Sequence, residues 1–258
     1  MYVGNYRDNY YDFLATPLQM DERTQIVKGM ILREKSYRPV YIAWDEYNVW
    51  YRARSGDDVV GTRALEERYN LEDALVITGF LNCFVRNADI VKMANMAQLV
   101  NVIAPIFTEG DDLFLQTIYY PLQMFSNNMK GESLDVFVDS PVYNTSPRFS
   151  LGDNEQSTYL KDVPYLDVTA ALDGDQLVVC VLNRHKDNAI SAEVILQQGA
   201  FTGPVEIYEI NGPNIKSEND FGKTNVQTVR KNDLKKPGTS FTYPFPAHSV
   251  TMFKGKIK

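Results

Sequence analysis

The chain is poor in the residues that many catalytic and secreted proteins depend on. It has 258 residues but only two cysteines, Cys83 and Cys180, so no disulfide framework is available. Each lies in an apolar segment, one helical and one strand-like, and both read as buried free thiols. Histidine is equally scarce. His185 sits in a charged strand-end turn and His248 follows Pro246, where a structural hydrogen bond is the expected role. Two isolated histidines support neither a metal cluster nor a nucleophilic triad. No uncharged run approaches the roughly 20 apolar residues of a membrane-spanning helix, and the first residues show no basic-then-apolar leader pattern. Positive charge is short as well: 26 Lys and Arg against 33 Asp and Glu leave a net charge of -7, which argues against nucleic-acid and anionic-membrane partners. A neutral polysaccharide is compatible with it. No internal repeat or low-complexity segment is present.

The period of the apolar residues changes along the chain. Glu22 to Glu34 carries Ile26 with Met30 and Val27 with Ile31 at i, i+4, which predicts an amphipathic helix preceded by a loop with a short helical turn. Asp21 and Glu22 would favour its start, Arg33 and Lys35 its end. The run Pro39-Val40-Tyr41-Ile42-Ala43 reads as a buried parallel strand. Asn70 is expected to cap a helix that has Asp73 in its first turn and runs to about Asn87, with Leu71, Ala74, Leu75, Thr78, Leu81 and Val85 on one stripe. Val91 to Met96 is too short and mixed to assign from pattern alone, and Met93 and Met96 read as core fillers. Pro121 suits the first turn of a helix over 122–128. After Gly131 the period becomes two. Leu166, Val168, Ala170 and Leu172, the Asp173-Gly174 turn, then Leu177, Val179 and Val181 predict a hairpin. Further strands are expected over 192–196, 205–210 and 249–253. The expected architecture is α/β followed by all-β, divided into residues 1–131 and 132–258, the second an antiparallel β-sandwich of jelly-roll type.

The stretch with most chemistry is Trp44-Asp45-Glu46-Tyr47-Asn48-Val49-Trp50-Tyr51. Carboxylates at the end of a buried strand are costly unless paired or used. Aromatic faces beside an acid suit a sugar, whose flat C–H faces stack while the acid works on the anomeric carbon. The plain structural alternative is that Asp45 caps the next segment and Glu46 pairs with Arg52 or Arg54. Residues 52–70 carry many further charges, including Arg52, Arg54, Asp57, Asp58 and Arg63, and read as a solvated loop or as a rim shaping polymer subsites.

This string resembles the nucleophile motif of the α-L-arabinofuranosidases of glycoside hydrolase family 51, usually Asp-Glu-Trp-Asn-Val-Trp-Tyr. Tyr2-Val3-Gly4-Asn5 is similar to that family's His-x-Tyr-Val-Gly-Asn segment, and 94–106 to its eighth-strand segment. The resemblance covers most of residues 1–150. It implies that residues 1–131 are the last strand–helix units of a (β/α)8 TIM barrel. It makes Glu46 the catalytic nucleophile of a retaining glycosidase, with Tyr2, Trp50 and Gln98 at the substrate. Asn48, two residues on in the string, is expected from its own chemistry to orient Glu46 by hydrogen bonding and to stand at the substrate. Tyr47 departs from the family's tryptophan, so a shift in packing or subsite shape is expected. Asp45 is expected to be structural.

A retaining glycosidase needs two carboxyl groups about 5 to 5.5 Å apart. The family's acid/base lies in a Gly-Asn-Glu motif on an earlier strand, and no such motif stands in the right place here. Gly152-Asp153-Asn154-Glu155 follows the nucleophile in a polar loop and reads as coincidence. An eight-stranded barrel takes about 250 residues by itself, so the chain is expected to be the C-terminal portion of a longer enzyme, inactive alone. The expected substrate is an arabinose-containing oligo- or polysaccharide, arabinan or arabinoxylan, from which terminal arabinofuranosyl groups are released. The resemblance further implies a cytoplasmic protein that is a homo-oligomer at full length and requires no metal or organic cofactor. Two other functions stay open: a related retaining barrel hydrolase of endoglucanase or xylosidase specificity, and a non-catalytic carbohydrate-binding β module with a barrel remnant.

Overall fold

The computed structural model describes residues 1–5, 8–51, 65–146 and 160–258. Strand β1 (Tyr2–Val3), helix α1 (Tyr10–Glu34), strand β2 (Ile42–Val49), helix α2 (Leu71–Arg86) and strand β3 (Val91–Met96) come first. The three strands form an open parallel sheet in the order β1-β2-β3, each connection running through a helix. Three parallel strands do not close, so among the described residues the structure contains a βαβαβ unit and no barrel.

Helix α1 begins at Tyr10, twelve residues before the expected start at Glu22. The Tyr-, Asn- and Asp-rich opening and Pro17 hid it. Asn9 supplies the cap, its Oδ1 accepting from the Asp12 N–H at 3.3 Å. Pro17 leaves the Phe13 carbonyl without its usual donor; the Thr16 hydroxyl replaces it at 2.7 Å. Gly79 of α2 makes room for this proline: a Cβ there would stand 2.6 Å from Pro17 Cγ. The second half of α1 differs from expectation. Ile26, Val27 and Met30 face solvent, Met30 at 57% exposure, and only Ile31 packs on the core. Asp21 lies inside the helix and serves an ion pair instead of the helix start.

Helix α2 follows expectation in its cap and departs from it in its burial. Asn70 and Asp73 form a capping box: Asn70 Oδ1 accepts from the Glu72 N–H at 3.0 Å, and Asp73 Oδ2 accepts from the Asn70 N–H at 2.7 Å. Its residues are buried on every side from Leu71 to Phe80, where a single stripe was expected. A helix apolar all round belongs between two layers, and the rest of the chain supplies the second one.

A hairpin of β4 (Ile106–Glu109) and β5 (Asp112–Leu115) leads to helix α3 (Tyr119–Asn128), with Pro121 in its first turn. Then come β6 (Glu132–Leu134), β7 (Val142–Tyr143), β8 (Val163–Pro164), β9 (Leu166–Asp173), β10 (Gln176–Asn183), β11 (Ile190–Ile195), β12 (Glu206–Asn211), β13 (Gln227–Arg230), β14 (Ser240–Phe245) and β15 (Ser249–Lys256). Six of these make an antiparallel sheet in the order β13-β12-β15-β10-β9-β6. The β9–β10 hairpin turns at Gly174, whose φ of +60° suits glycine. One face of the large sheet packs Leu177, Ile207 and Phe253 against the β11–β14 pair, through Phe241, Tyr243 and Phe245, giving the expected β-sandwich. The other face packs Val178, Cys180, Leu182 and Met252 into the core that holds α2. The expected parts 1–131 and 132–258 therefore share one apolar core. Both cysteines are buried free thiols.

A buried ionic chain crosses the same junction. Asp167 of β9 accepts from Arg184 Nη2 at 2.5 Å and from Arg86 of α2, and Arg86 reaches Asp21 of α1 at 2.6 Å. Arg184 is fully buried and also donates to the Pro164 carbonyl at 2.9 Å. Burial pushes the Asp167 carboxyl up, but Arg184 and Arg86 outweigh it and hold it below the usual carboxylate range.

Candidate active site

Strand β2 runs past the two acids to Val49 instead of ending before them. Its pairing with β3 explains how they are presented. Trp44 pairs with Ala94 and Tyr47 with Met96, so three steps on β2 match two on β3. This is a bulge with Asp45 and Glu46 in it, and bulges re-aim side chains beside functional sites. Trp44 and Tyr47 both face the helices. Trp44 Nε1 donates to Thr24 Oγ1 of α1 at 3.2 Å, and Tyr47 packs edge-on to Phe84 at 4.9 Å and Phe80 at 5.8 Å. The extra residue leaves both acids on the open face, exposed. Tyr47 thus fills the core against α2. Val40 and Tyr41, expected in a buried strand, lie before the start of β2 and are exposed, and Met93 of β3, expected as a core filler, is exposed as well.

β1 brings Tyr2 beside this bulge. Tyr2 stands opposite Asn48 in the parallel register, and the Trp50 N–H donates to the Val3 carbonyl at 2.8 Å. The Tyr2 and Trp50 rings meet edge to face at 5.3 Å between centroids. The Tyr2 hydroxyl lies near the Glu46 carboxylate; partial burial and that carboxylate push its pKa up, so the phenol keeps its proton. Tyr2, Glu46 and Trp50 therefore form one group. Gln98 is exposed just beyond the end of β3.

Asn48 behaves differently. It is fully buried, its Nδ2 donates to the carbonyls of Ala97 at 2.6 Å and Ile103 at 2.5 Å, and its Oδ1 accepts from the Val49 N–H at 2.7 Å. Both of its N–H donors are taken, so none is left for the Glu46 carboxylate, and it is buried away from the open side where a sugar would sit. Asn48 is thus a buried amide satisfied by backbone. Arg52, Arg54, Asp57, Asp58, Arg63 and Gly152 to Glu155 lie outside the described residues.

Several supports were not anticipated. The Tyr51 hydroxyl donates to Asp73 Oδ1 at 2.5 Å, the Tyr69 hydroxyl to the Val49 carbonyl at 2.7 Å, and the Tyr51 N–H to Glu67 Oε1 at 3.1 Å. The exit of β2 is thereby tied to the cap of α2. On the other flank, Lys216 from the β region bridges the buried Glu72 at 2.6 Å and Asp8 at 2.9 Å, while Asn5 Nδ2 reaches Glu72 at 3.2 Å. The only signal for these was Asp73 in the first turn.

Comparison with known proteins decides the family. A family profile described as the alpha-L-arabinofuranosidase C-terminal domain matches residues 45–249. The chain belongs to that family. Among arabinofuranosidase relatives, alpha-L-arabinofuranosidase C of Emericella nidulans is 37% identical over 94% of this chain and 46% of its own length. The intracellular exo-alpha-(1->5)-L-arabinofuranosidase of Halalkalibacterium halodurans is 30% identical over 84% of this chain and 44% of its own. The solved arabinofuranosidase of Thermotoga maritima, in an arabinose complex, superposes with a TM-score of 0.83 at 28% identity, covering 99% of this chain and 51% of that one. The chain thus spans about half the length of the arabinofuranosidases it matches. No helix among the described residues is long and apolar enough to cross a membrane.

Proposed function

We propose that this chain is the nucleophile-bearing part of a retaining α-L-arabinofuranosidase that releases terminal arabinofuranosyl groups from arabinan or arabinoxylan. The observation that carries this is the grouping of Glu46, placed on the open face by the β2 bulge, with Tyr2 beside its carboxylate and Trp50 packed on Tyr2. Glu46 attacks the anomeric carbon and forms the glycosyl-enzyme intermediate, which water then hydrolyses. Tyr2 stands beside the carboxylate, and Trp50 and Gln98 wall the sugar. Asn48 belongs to the support of this site.

The acid/base comes from further strand–helix units that complete the barrel. The open flanks of the parallel sheet support this reading: β1 and β3 are its edges among the described residues, and Met93 of β3 and Ile26 and Met30 of α1 are exposed. An edge and an apolar face of this kind call for a covering layer. The test compares a longer protein containing this chain with the chain alone, on an aryl α-L-arabinofuranoside and an aryl xyloside. Turnover of the arabinoside by the longer protein, lost in Glu46→Gln and absent from the chain alone, is expected. Turnover that survives Glu46→Gln, or that the isolated chain sustains, overturns the proposal. Preference for the xyloside transfers the activity to another retaining hydrolase.

A further inference from the structure

We infer that Asn48 is a positioning residue, clamping both ends of the 97–103 loop onto β2 and so setting where Gln98, Leu99 and Val100 stand beside Glu46. The loop has its own reasons to move. Asn101 and Ile103 both occupy the left-handed region, at φ of +61° and +42°, and for a β-branched isoleucine this is a strained backbone. Leu99 is 67% exposed and Val100 45%, so little packing holds the loop's outer side. What holds it is polar. Asn48 takes the Ala97 and Ile103 carbonyls, the Ile103 N–H donates to the Leu65 carbonyl at 3.0 Å, and the Asn101 side chain accepts from the Thr108 N–H at 2.7 Å.

The clamp needs a carboxamide. Two donors on one nitrogen serve two carbonyls, and the oxygen takes the neighbouring N–H. Aspartate has no donor and would set a carboxylate against two carbonyl oxygens. Alanine and serine leave at least one carbonyl without its partner. Because Tyr47 pairs with Met96, the loop leaves β3 one strand away from Glu46, and a small shift of its ends is passed directly to Gln98.

Two measurements test this on Asn48→Ala, with Asn48→Ser as the milder change should the first fail to fold. Hydrogen exchange on the chain itself is expected to show faster exchange of the amides of 98–103, with those of β2 still protected. Unchanged exchange in the loop overturns the inference whatever the activity. The kinetic arm rests on the arabinofuranosidase reading and uses the longer enzyme. There kcat/KM should fall about 10- to 100-fold, mostly through KM and at temperatures well below the melting point, where general destabilisation leaves KM unmoved. Adding Gln98→Ala to Asn48→Ala should cost little beyond the worse single variant. Losses that multiply mean that Asn48 does not act through the loop, and they overturn the inference. A parent enzyme without turnover defeats the activity proposal instead, and the exchange result then decides the clamp.

Discussion

Replacing Asp167 with asparagine keeps the volume of the side chain and removes the charge that two arginines share. Arg184, fully buried, would keep only its bond to the Pro164 carbonyl, and Arg86 would keep Asp21. Breaking a buried pair from one side costs about 3 to 5 kcal/mol, because the surviving charge stays out of water. For a chain of this length that corresponds to roughly 6 °C or more in melting temperature. Urea denaturation at pH 7 should show the midpoint falling with the slope unchanged. The pH dependence has a definite sign. Asp167 has a lowered folded-state pKa, so its stabilisation is complete above the unfolded-state value of about 4 and fades as pH falls through the folded one. Parent and Asp167→Asn should therefore converge below about pH 4. A deficit under about 1 kcal/mol at pH 7, or one that persists unchanged into acid, refutes the idea that this pairing holds α1, α2 and the large sheet together.

Two further outcomes follow from the packing. Gly79→Ala would drive a methyl group to 2.6 Å from Pro17 Cγ, and this overpacking should lower stability by about 1 to 3 kcal/mol in thermal melts, with Pro17→Ala restoring part of it. Burial pushes the Cys83 and Cys180 thiols well above their ordinary pKa; both should resist Ellman's reagent at pH 8 until denaturant is added, and rapid labelling of the native chain would contradict the shared core.

Legibility followed the range of each interaction. The Asn70–Asp73 cap and the Asp173-Gly174 turn are local, need only their neighbours, and appear where the sequence placed them. The Glu46 string was readable because its residues lie within one short stretch, and Tyr2 because its own segment resembled the same family. What failed depended on distant partners. Pro17 ordinarily stops a helix, but Thr16 and Gly79 accommodate it, and Gly79 is contributed by another helix. The Asp45–Glu46 bulge exists only against β3. Asn48 differs from any surface asparagine only through two carbonyls some fifty positions away. The exposed methionine of α1 had every local reason to be inside; what decides its burial is whether something lies across it.

The all-round burial of α2 carries one more consequence. A helix read by two layers at once cannot be re-indexed. Inserting or deleting a single residue within Leu71–Phe80 would turn everything beyond it by about 100°, and no compensating slide could satisfy both the parallel sheet and the antiparallel one. Length changes among relatives should therefore collect in the connections and spare this helix, which keeps the two halves of the chain in phase.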